Sequence, residues 1–180
     1  MQRPQLEHVI RAAAGITGAS EIVVVGSQAV LGQFPDAPGD LLVSIEADVF
    51  TFRSPNDADL IEGSIGEGSP FHQTFGYYAH GVAEETALLP PGWKDRLVTV
   101  RNANTGNASG LCLEVHDLAA AKIAAGREKD ASFVAGLLRH KLANASLIES
   151  RLRQLPLSRQ KLELALAMLK RIAAKLMEAV

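Results

Sequence analysis

Cysteine is almost absent from the sequence, since Cys112 is the only one in 180 residues. A lone thiol cannot form a disulfide within the chain, so a scaffold held together by disulfides is excluded. The surrounding segment GLCLEV is typical of a strand in which cysteine behaves as a small apolar residue. We therefore expect a protein of a reducing compartment, the cytoplasm.

Long apolar runs and an excess of one charge are also missing. No run has the length of a membrane-spanning helix, and Glu7 and His8 interrupt the start, so we expect neither a signal peptide nor a membrane partner. Lys and Arg number 18 against 20 Asp and Glu. The formal charge of −2 gives no overall attraction to nucleic acid, although a local basic face stays open. Aromatic residues, at 5%, are too scattered for a base-stacking platform.

The spacing of histidines and glycines does not match a zinc site or a dinucleotide-binding site. His72, His80 and His116 do not have the spacing of a zinc site. The glycines at 63, 66 and 68 stand in the wrong order for a dinucleotide-binding fingerprint, and no clear strand precedes them. We therefore expect neither site here.

The sequence does contain strands and helices in a recognisable order. Its 47% apolar and 21% charged residues are ordinary for a folded domain. Periodicity predicts strands over residues 21–25, 41–50 and 76–82, with two more within 96–115. Helices are predicted over residues 5–14, after residue 27 with Gly32 as a stop, and after residue 54. Two more are predicted from an Asp117 cap, with an interruption near Gly126, and over 159–180 after a Ser158 cap. The predicted fold is α+β: a small mixed sheet in residues 1–116, with a helical region, 117–180, packed on it.

The segment SIEADVF places two carboxylates on alternate residues of a strand. Glu46 and Asp48 share one face because side chains of a strand repeat every second residue. Ile45, Ala47 and Val49 would then form a buried opposite face. Two like charges side by side indicate either a solvated face or a site for a divalent metal ion, whose usual ligands include carboxylates.

A tight turn, Gly26-Ser27, follows the first predicted strand. A turn of this kind at the start of a helix offers backbone N–H groups, a hydroxyl and a favourable dipole to a phosphate. Taken alone it is an ordinary turn. Together with the acid pair, it indicates a site for a metal ion and the phosphates that the ion bridges.

These two features together resemble the polymerase-β-type nucleotidyltransferase superfamily. The later segment LEVHDLAAAKIAAGREKDASFVAGLL resembles the helical motif of its AbiE toxin-like branch, which has a helix lysine and a later Lys-Asp or Arg-Asp pair. The resemblance implies that Gly26 and Ser27 contact nucleotide phosphates and that Glu46 and Asp48 hold Mg²⁺. It also implies a charge for the triphosphate from Lys122 and a catalytic acid at Asp130. Three further basic residues could assist: Arg96, Arg127 and Lys129.

The activity implied is Mg²⁺-dependent transfer of a nucleotidyl group from a nucleoside triphosphate to a hydroxyl of RNA or protein. The resemblance further implies a toxin role with a cognate antitoxin. On the residues alone, Lys122 and Asp130 are equally compatible with a charged, solvated helix face.

The sequence departs from the superfamily pattern at two positions. Glu46 stands where the first acid is usually Asp, and His80 stands where a third acid is expected. A histidine can serve as the base in principle. These departures support an alternative of another class, a degenerate scaffold that acts as an interaction module. It would use the apolar stripe of the last helix, which could also form a homodimer contact: Leu162, Leu166, Leu169, Ile172 and Leu176.

Overall fold

The α+β fold is confirmed in a computed structural model that describes residues 1–178. Among those residues, five strands form one mixed sheet and eight segments form α-helices. The chain divides into two compact units. The first, called here the sheet unit, comprises Met1–Thr86 and Arg96–Glu114; the second, the helical unit, comprises Ala87–Asp95 and the chain from Val115 onward.

The sheet has the strand order β3-β2-β1-β5-β4. Its strands are β1 (Glu21–Val24), β2 (Glu46–Phe50), β3 (Tyr78–Gly81), β4 (Val98–Val100) and β5 (Ser109–Cys112). β1 is parallel to β5 and antiparallel to β2, while β2 is parallel to β3 and β4 is antiparallel to β5. The central strand is fully buried at Ile22, Val23 and Val24, as its continuous β-branched sequence predicts.

The sheet unit contains four helices: α1 (Arg3–Thr17), α2 (Val30–Gln33), α3 (Asp57–Ile65) and α4 (Pro70–Phe75). α1 buries Leu6, Val9, Ile10 and Ala13 at helical spacing. The buried Glu7 on the same helix accepts hydrogen bonds from Arg3, Asn102 and Asn104. Burial alone would raise the pKa of Glu7, but these hydrogen bonds lower it below its ordinary value.

The helical unit contains α5 (Val115–Ala125), α6 (Glu128–Arg139), α7 (Ala145–Arg153) and α8 (Arg159–Glu178). The predicted interruption near Gly126 is confirmed, and Gly126 has φ +72°, a conformation that favours glycine. Ser158 caps α8 by accepting from the Lys161 N–H at 3.3 Å. The last two residues of the predicted helix, 179 and 180, lie outside the described residues. No helix in the described part of the chain is long and apolar enough to cross a bilayer.

Two local predictions were wrong, and a third was right only in part. Asp117 does not cap α5; it lies inside the helix, fully buried, with Arg151 Nε 3.0 Å from its Oδ1. The helix after Ser27 is only a 3-10 turn, Ser27–Ala29, followed by α2. Gly32 does not stop α2 but lies within it, where a Cβ would overlap the side chain of Cys112.

The second strand is shorter than predicted. β2 begins at Glu46 rather than residue 41, because the chain forms a 3-10 turn at Gly39–Leu41 and the Ser44 carbonyl accepts from the Gln28 side chain. Ile45 therefore precedes the strand and is 47% exposed, whereas Ala47 and Val49 are buried as expected. Two short helices, α4 and α7, were not predicted.

Candidate functional site

The two carboxylates of β2 lie beside two polar side chains of β3. In the parallel register, Glu46 pairs with Tyr78 and Asp48 pairs with His80. Because both strands have a side-chain repeat of two residues, the four groups share one face of the sheet. The predicted proximity of Glu46 and Asp48 is thus confirmed, and His80 joins them.

The contacts within this cluster give each group a defined position. His80 Nδ1 lies 3.2 Å from Asp48 Oδ1 and 3.6 Å from Glu46 Oε1. The Tyr78 hydroxyl donates a hydrogen bond of 2.9 Å to the other Glu46 oxygen, Oε2. Tyr78 thereby orients the Glu46 carboxylate so that Oε1 is turned toward His80.

The surroundings of Asp48 disfavour its charged form. Burial, followed by the neighbouring Glu46, raises the pKa of Asp48 from 3.8 to about 6, and the contact with His80 only partly offsets this. Burial and Glu46 also raise the pKa of Tyr78 to about 12, which keeps its hydroxyl protonated as a donor. A bound cation would relieve the repulsion between the two carboxylates.

The loop after β1 passes directly against this cluster. The Val25 N–H donates to the Asp48 carbonyl at 3.0 Å, and Gly26 follows at the point where the Asp48 side chain comes close. A Cβ built on Gly26 would overlap the Asp48 carboxylate. Glycine is required here by space and not by φ, which is −78°. Ser27 begins the 3-10 turn, so the predicted turn and the acid pair are neighbours.

The donor atoms suit a divalent cation. One ligand atom each from Glu46, Asp48 and His80 can be chosen so that all three lie within 4.8 Å of one another. Their side chains are 37%, 29% and 48% exposed, so ions and phosphates can reach them from solvent. Two carboxylates and an imidazole form a donor set that metal ions accept.

Two predicted site residues, Lys122 and Asp130, lie in the helical unit and contact each other. Lys122 Nζ is 2.8 Å from Asp130 Oδ1, and Arg127 Nε is 2.5 Å from Asp130 Oδ2. Asp130 is buried, which by itself would raise its pKa, but hydrogen bonds from Lys122 and Arg127 lower that pKa below its ordinary value. The Lys122 ammonium also lies 4.8 Å from the centre of the Phe133 ring.

The model of one protein family matches residues 4–153. That family is described as "Nucleotidyltransferase of unknown function (DUF6036)". The chain belongs to this family. No curated protein and no solved structure matches the chain. The family match confirms the implied nucleotidyltransferase superfamily. A nucleotidyltransferase takes a nucleotide as its substrate.

Within this nucleotidyltransferase, Tyr78 is the member of the candidate site that the sequence did not assign. His80 was placed by the resemblance at the position of a third acid, and the structure aligns it with Asp48. The signal for Tyr78 was the segment YAH, whose alternation matches that of EAD on β2. His72 and His116 have local roles instead. The ring of His72 packs on Tyr78 with its Nδ1 accepting from the Gly68 N–H, and His116 accepts from the Asn144 N–H.

Proposed function

We propose that this protein is an active, divalent-metal-dependent nucleotidyltransferase that transfers a nucleotidyl group from a nucleoside triphosphate to a hydroxyl. The observation that carries the proposal is the close fit of other residues around the acid pair: Tyr78 on Glu46, and His80 and Gly26 on Asp48. A purely solvated strand face needs neither an oriented carboxylate nor a glycine pressed against its neighbour. A cation site gains from ligands that their neighbours hold in position.

Each residue of the site has a separate role in this proposal. Glu46 and Asp48 would hold the cation, Mg²⁺ by the resemblance, which when bound neutralises charge on the phosphates. Tyr78 fixes Glu46, and Gly26 leaves room for Asp48. The backbone and hydroxyl of Ser27 offer hydrogen-bond donors to phosphate oxygens. In the reaction the acceptor hydroxyl loses its proton to water as its oxygen bonds to the α-phosphorus, and the bond from that phosphorus to the bridging oxygen breaks and releases pyrophosphate.

We assign a supporting role to the ion pair of the helical unit. Lys122 would offer its charge to the triphosphate, with Asp130 as the group that orients it, and both follow the helical motif of the AbiE-like branch. This is also the support for the narrower proposal of a toxin with a cognate antitoxin.

The charge distribution favours RNA over protein as the acceptor. From residue 115 onward the sequence has 12 Lys and Arg against 6 Asp and Glu, whereas residues 1–114 have 6 against 14. Exposed bases in α8 include Lys161, Lys170, Arg171 and Lys175. Phosphate backbones bind such surfaces through charge alone.

The first test is thermal unfolding with each of the four ribonucleoside triphosphates, with and without Mg²⁺ or Mn²⁺. A ligand at a hundred times its dissociation constant stabilises a protein by about 2.7 kcal/mol. We expect metal-dependent stabilisation by at least one triphosphate in the wild type and in Asp59→Ala, which removes an exposed acid of α3. The same stabilisation should be absent in Asp48→Ala.

A protein that binds a triphosphate is then incubated with labelled triphosphate and RNA, and pyrophosphate release and labelled RNA are measured. Failure of every triphosphate to stabilise the wild type would overturn the proposal. It would favour the alternative of a degenerate scaffold that acts through its helices.

A further inference from the structure

The position that is usually acidic on the third strand of the site carries an imidazole. His80 is aligned with Asp48 in the β2–β3 register, and its Nδ1 points at the carboxylates of both acids. Both carboxylates lie within 3.6 Å of this same nitrogen. One ring nitrogen thus faces the space that a cation between Glu46 and Asp48 would occupy.

We infer that His80 is the third ligand of the cation site and that this nitrogen ligand makes the site prefer Mn²⁺ to Mg²⁺. The inference rests on the proposed function, because it concerns the cation held by the same acid pair. It departs from a site of carboxylates alone, which would suit the hard Mg²⁺ ion.

The chemistry of the donor set carries the preference. Mg²⁺ takes oxygen ligands in a strict octahedron and usually keeps several waters. Imidazole nitrogen suits borderline transition ions, and affinity for a mixed nitrogen and oxygen site rises from Mn²⁺ along the first row. A neutral imidazole also gives the cluster two negative charges instead of three, so that the purely electrostatic attraction for Mg²⁺ is weaker.

Two further contacts favour a preformed ligand set. Tyr78 occupies Oε2 of Glu46, leaving Oε1 toward His80, and Gly26 leaves space for the Asp48 carboxylate beside the strand. The contacts of the protein itself thus hold the three ligand atoms close together. A preformed set predicts that Mn²⁺ binds to the protein alone, without a triphosphate.

The test measures direct binding of Mn²⁺ to the full chain. Binding is detected as loss of the electron paramagnetic resonance signal of free Mn²⁺, and competition with Mg²⁺ gives the relative affinity of the two ions. Pulsed resonance on bound Mn²⁺ reports whether a ¹⁴N nucleus is directly coordinated. The variants are His80→Ala, His80→Asp and Asp48→Ala. His140→Ala, which removes an exposed histidine of the helical unit, is the matched control.

For both the wild type and His140→Ala, we expect Mn²⁺ to bind more tightly than Mg²⁺ does, and the bound Mn²⁺ to show a ¹⁴N coupling. His80→Ala should lose the coupling and at least about tenfold in Mn²⁺ affinity, because even outer-shell partners of metal ligands are worth 10–100-fold. His80→Asp should lose the coupling and shift the preference toward Mg²⁺. His80 is exposed, so folding of the variants can be verified by circular dichroism.

The inference and the proposed function fail in different ways. Wild-type Mn²⁺ binding that lacks a ¹⁴N coupling, and that Asp48→Ala abolishes but His80→Ala does not, would overturn the inference and leave the acid pair as a cation site. In that case His80 would only balance the two carboxylates by hydrogen bonding. Absence of any Mn²⁺ or Mg²⁺ binding, with or without triphosphate, would overturn both.

Discussion

Gly26 is the residue at which a single methyl group should affect the site most. Its added Cβ would overlap the Asp48 carboxylate, which would have to turn away from His80. We expect Gly26→Ala to cost about 1–3 kcal/mol, as overpacking does, and to weaken the stabilisation by Mn²⁺. The measurement is chemical denaturation with and without the ion.

Gly15→Ala is the control for the Gly26 variant. Gly15 lies within α1 with open space around its Cβ position. Alanine there should stabilise the helix by roughly 0.5–1 kcal/mol. If Gly26→Ala instead matches the wild type in stability and in its response to Mn²⁺, then the close approach does not position Asp48.

Asp48 should make the cation-free protein less stable as the pH rises. Its pKa of about 6 in the fold exceeds the ordinary 3.8, so the folded state binds more protons between those values. The free energy of unfolding therefore receives a contribution from Asp48 that falls from about pH 4 to about pH 6 and stays low above. Asp48→Asn should remove this fall, and at pH 7.5 in chelator the variant should be more stable than the wild type.

Denaturation curves at pH 4.5 and pH 7.5 measure this difference, with Asp59→Asn as the control for loss of one acid. An Asp48→Asn protein that is less stable than the wild type at pH 7.5 without metal would contradict the prediction. The site would then impose no electrostatic cost on the fold.

At the scale of elements, the contact between α5 and α6 allows a fold role to be separated from a ligand role. Lys122 and Asp130 join the two helices by a buried ion pair. Apolar replacement of both members of such a pair is often neutral or stabilising, whereas loss of one member leaves a buried charge. We expect Asp130→Leu alone to lower the melting temperature and Lys122→Met/Asp130→Leu to recover most of it.

The ligand role is tested on the same double variant. If Lys122 contacts the triphosphate, the recovered fold should still lose metal-dependent stabilisation by nucleotide. Wild-type nucleotide binding by the double variant would restrict the pair to holding the two helices together.

The elements differ in how far the sequence determines them. β1 was predictable because its residues are uniformly apolar and β-branched after Glu21. The loop that replaces the first half of the second predicted strand was not predictable. There the carbonyl of Ser44 accepts from the Gln28 side chain, a contact between distant parts of the sequence, rather than from a neighbouring strand. α4 and α7, of six and nine residues, were not predicted, although their caps, Ser69 and Asn144, were readable signals. α3, which also has nine residues, was predicted from signals of the same kind.

The site shows the same division between local and distant information. Glu46 and Asp48 could be paired because a period of two within one strand is local. The resemblance placed His80 at the position of a third acid, but its contact with Asp48 could be known only once β3 was seen to lie parallel to β2 in this register. A register between strands 32 residues apart is decided by packing of the sheet and not by the segment itself.

At the scale of the whole molecule, the uneven charge predicts salt-dependent binding of single-stranded RNA. Removing one basic side chain that binds a phosphate should reduce the salt slope of the logarithm of the affinity by about 0.7. The triple variant Lys170→Ala/Arg171→Ala/Lys175→Ala should reduce it by about 2 if all three bind phosphates. Arg101→Ala, which removes one exposed base of the sheet unit, should leave it nearly unchanged. Affinity that ignores salt would speak against RNA as the acceptor.

Cys112 and Trp93 give each unit its own built-in reporter. Cys112, on β5 of the sheet unit, is fully buried against Gly32, and burial raises the pKa of its thiol to about 12. A thiol reagent should therefore label it only when the sheet opens. The only tryptophan lies in the helical unit. Because each unit has its own core, we expect labelling and fluorescence to give different denaturant midpoints; coincident midpoints would mean one cooperative transition. The unmodified chain thus carries a reporter for the opening of the sheet unit that is separate from the reporter of the helical unit.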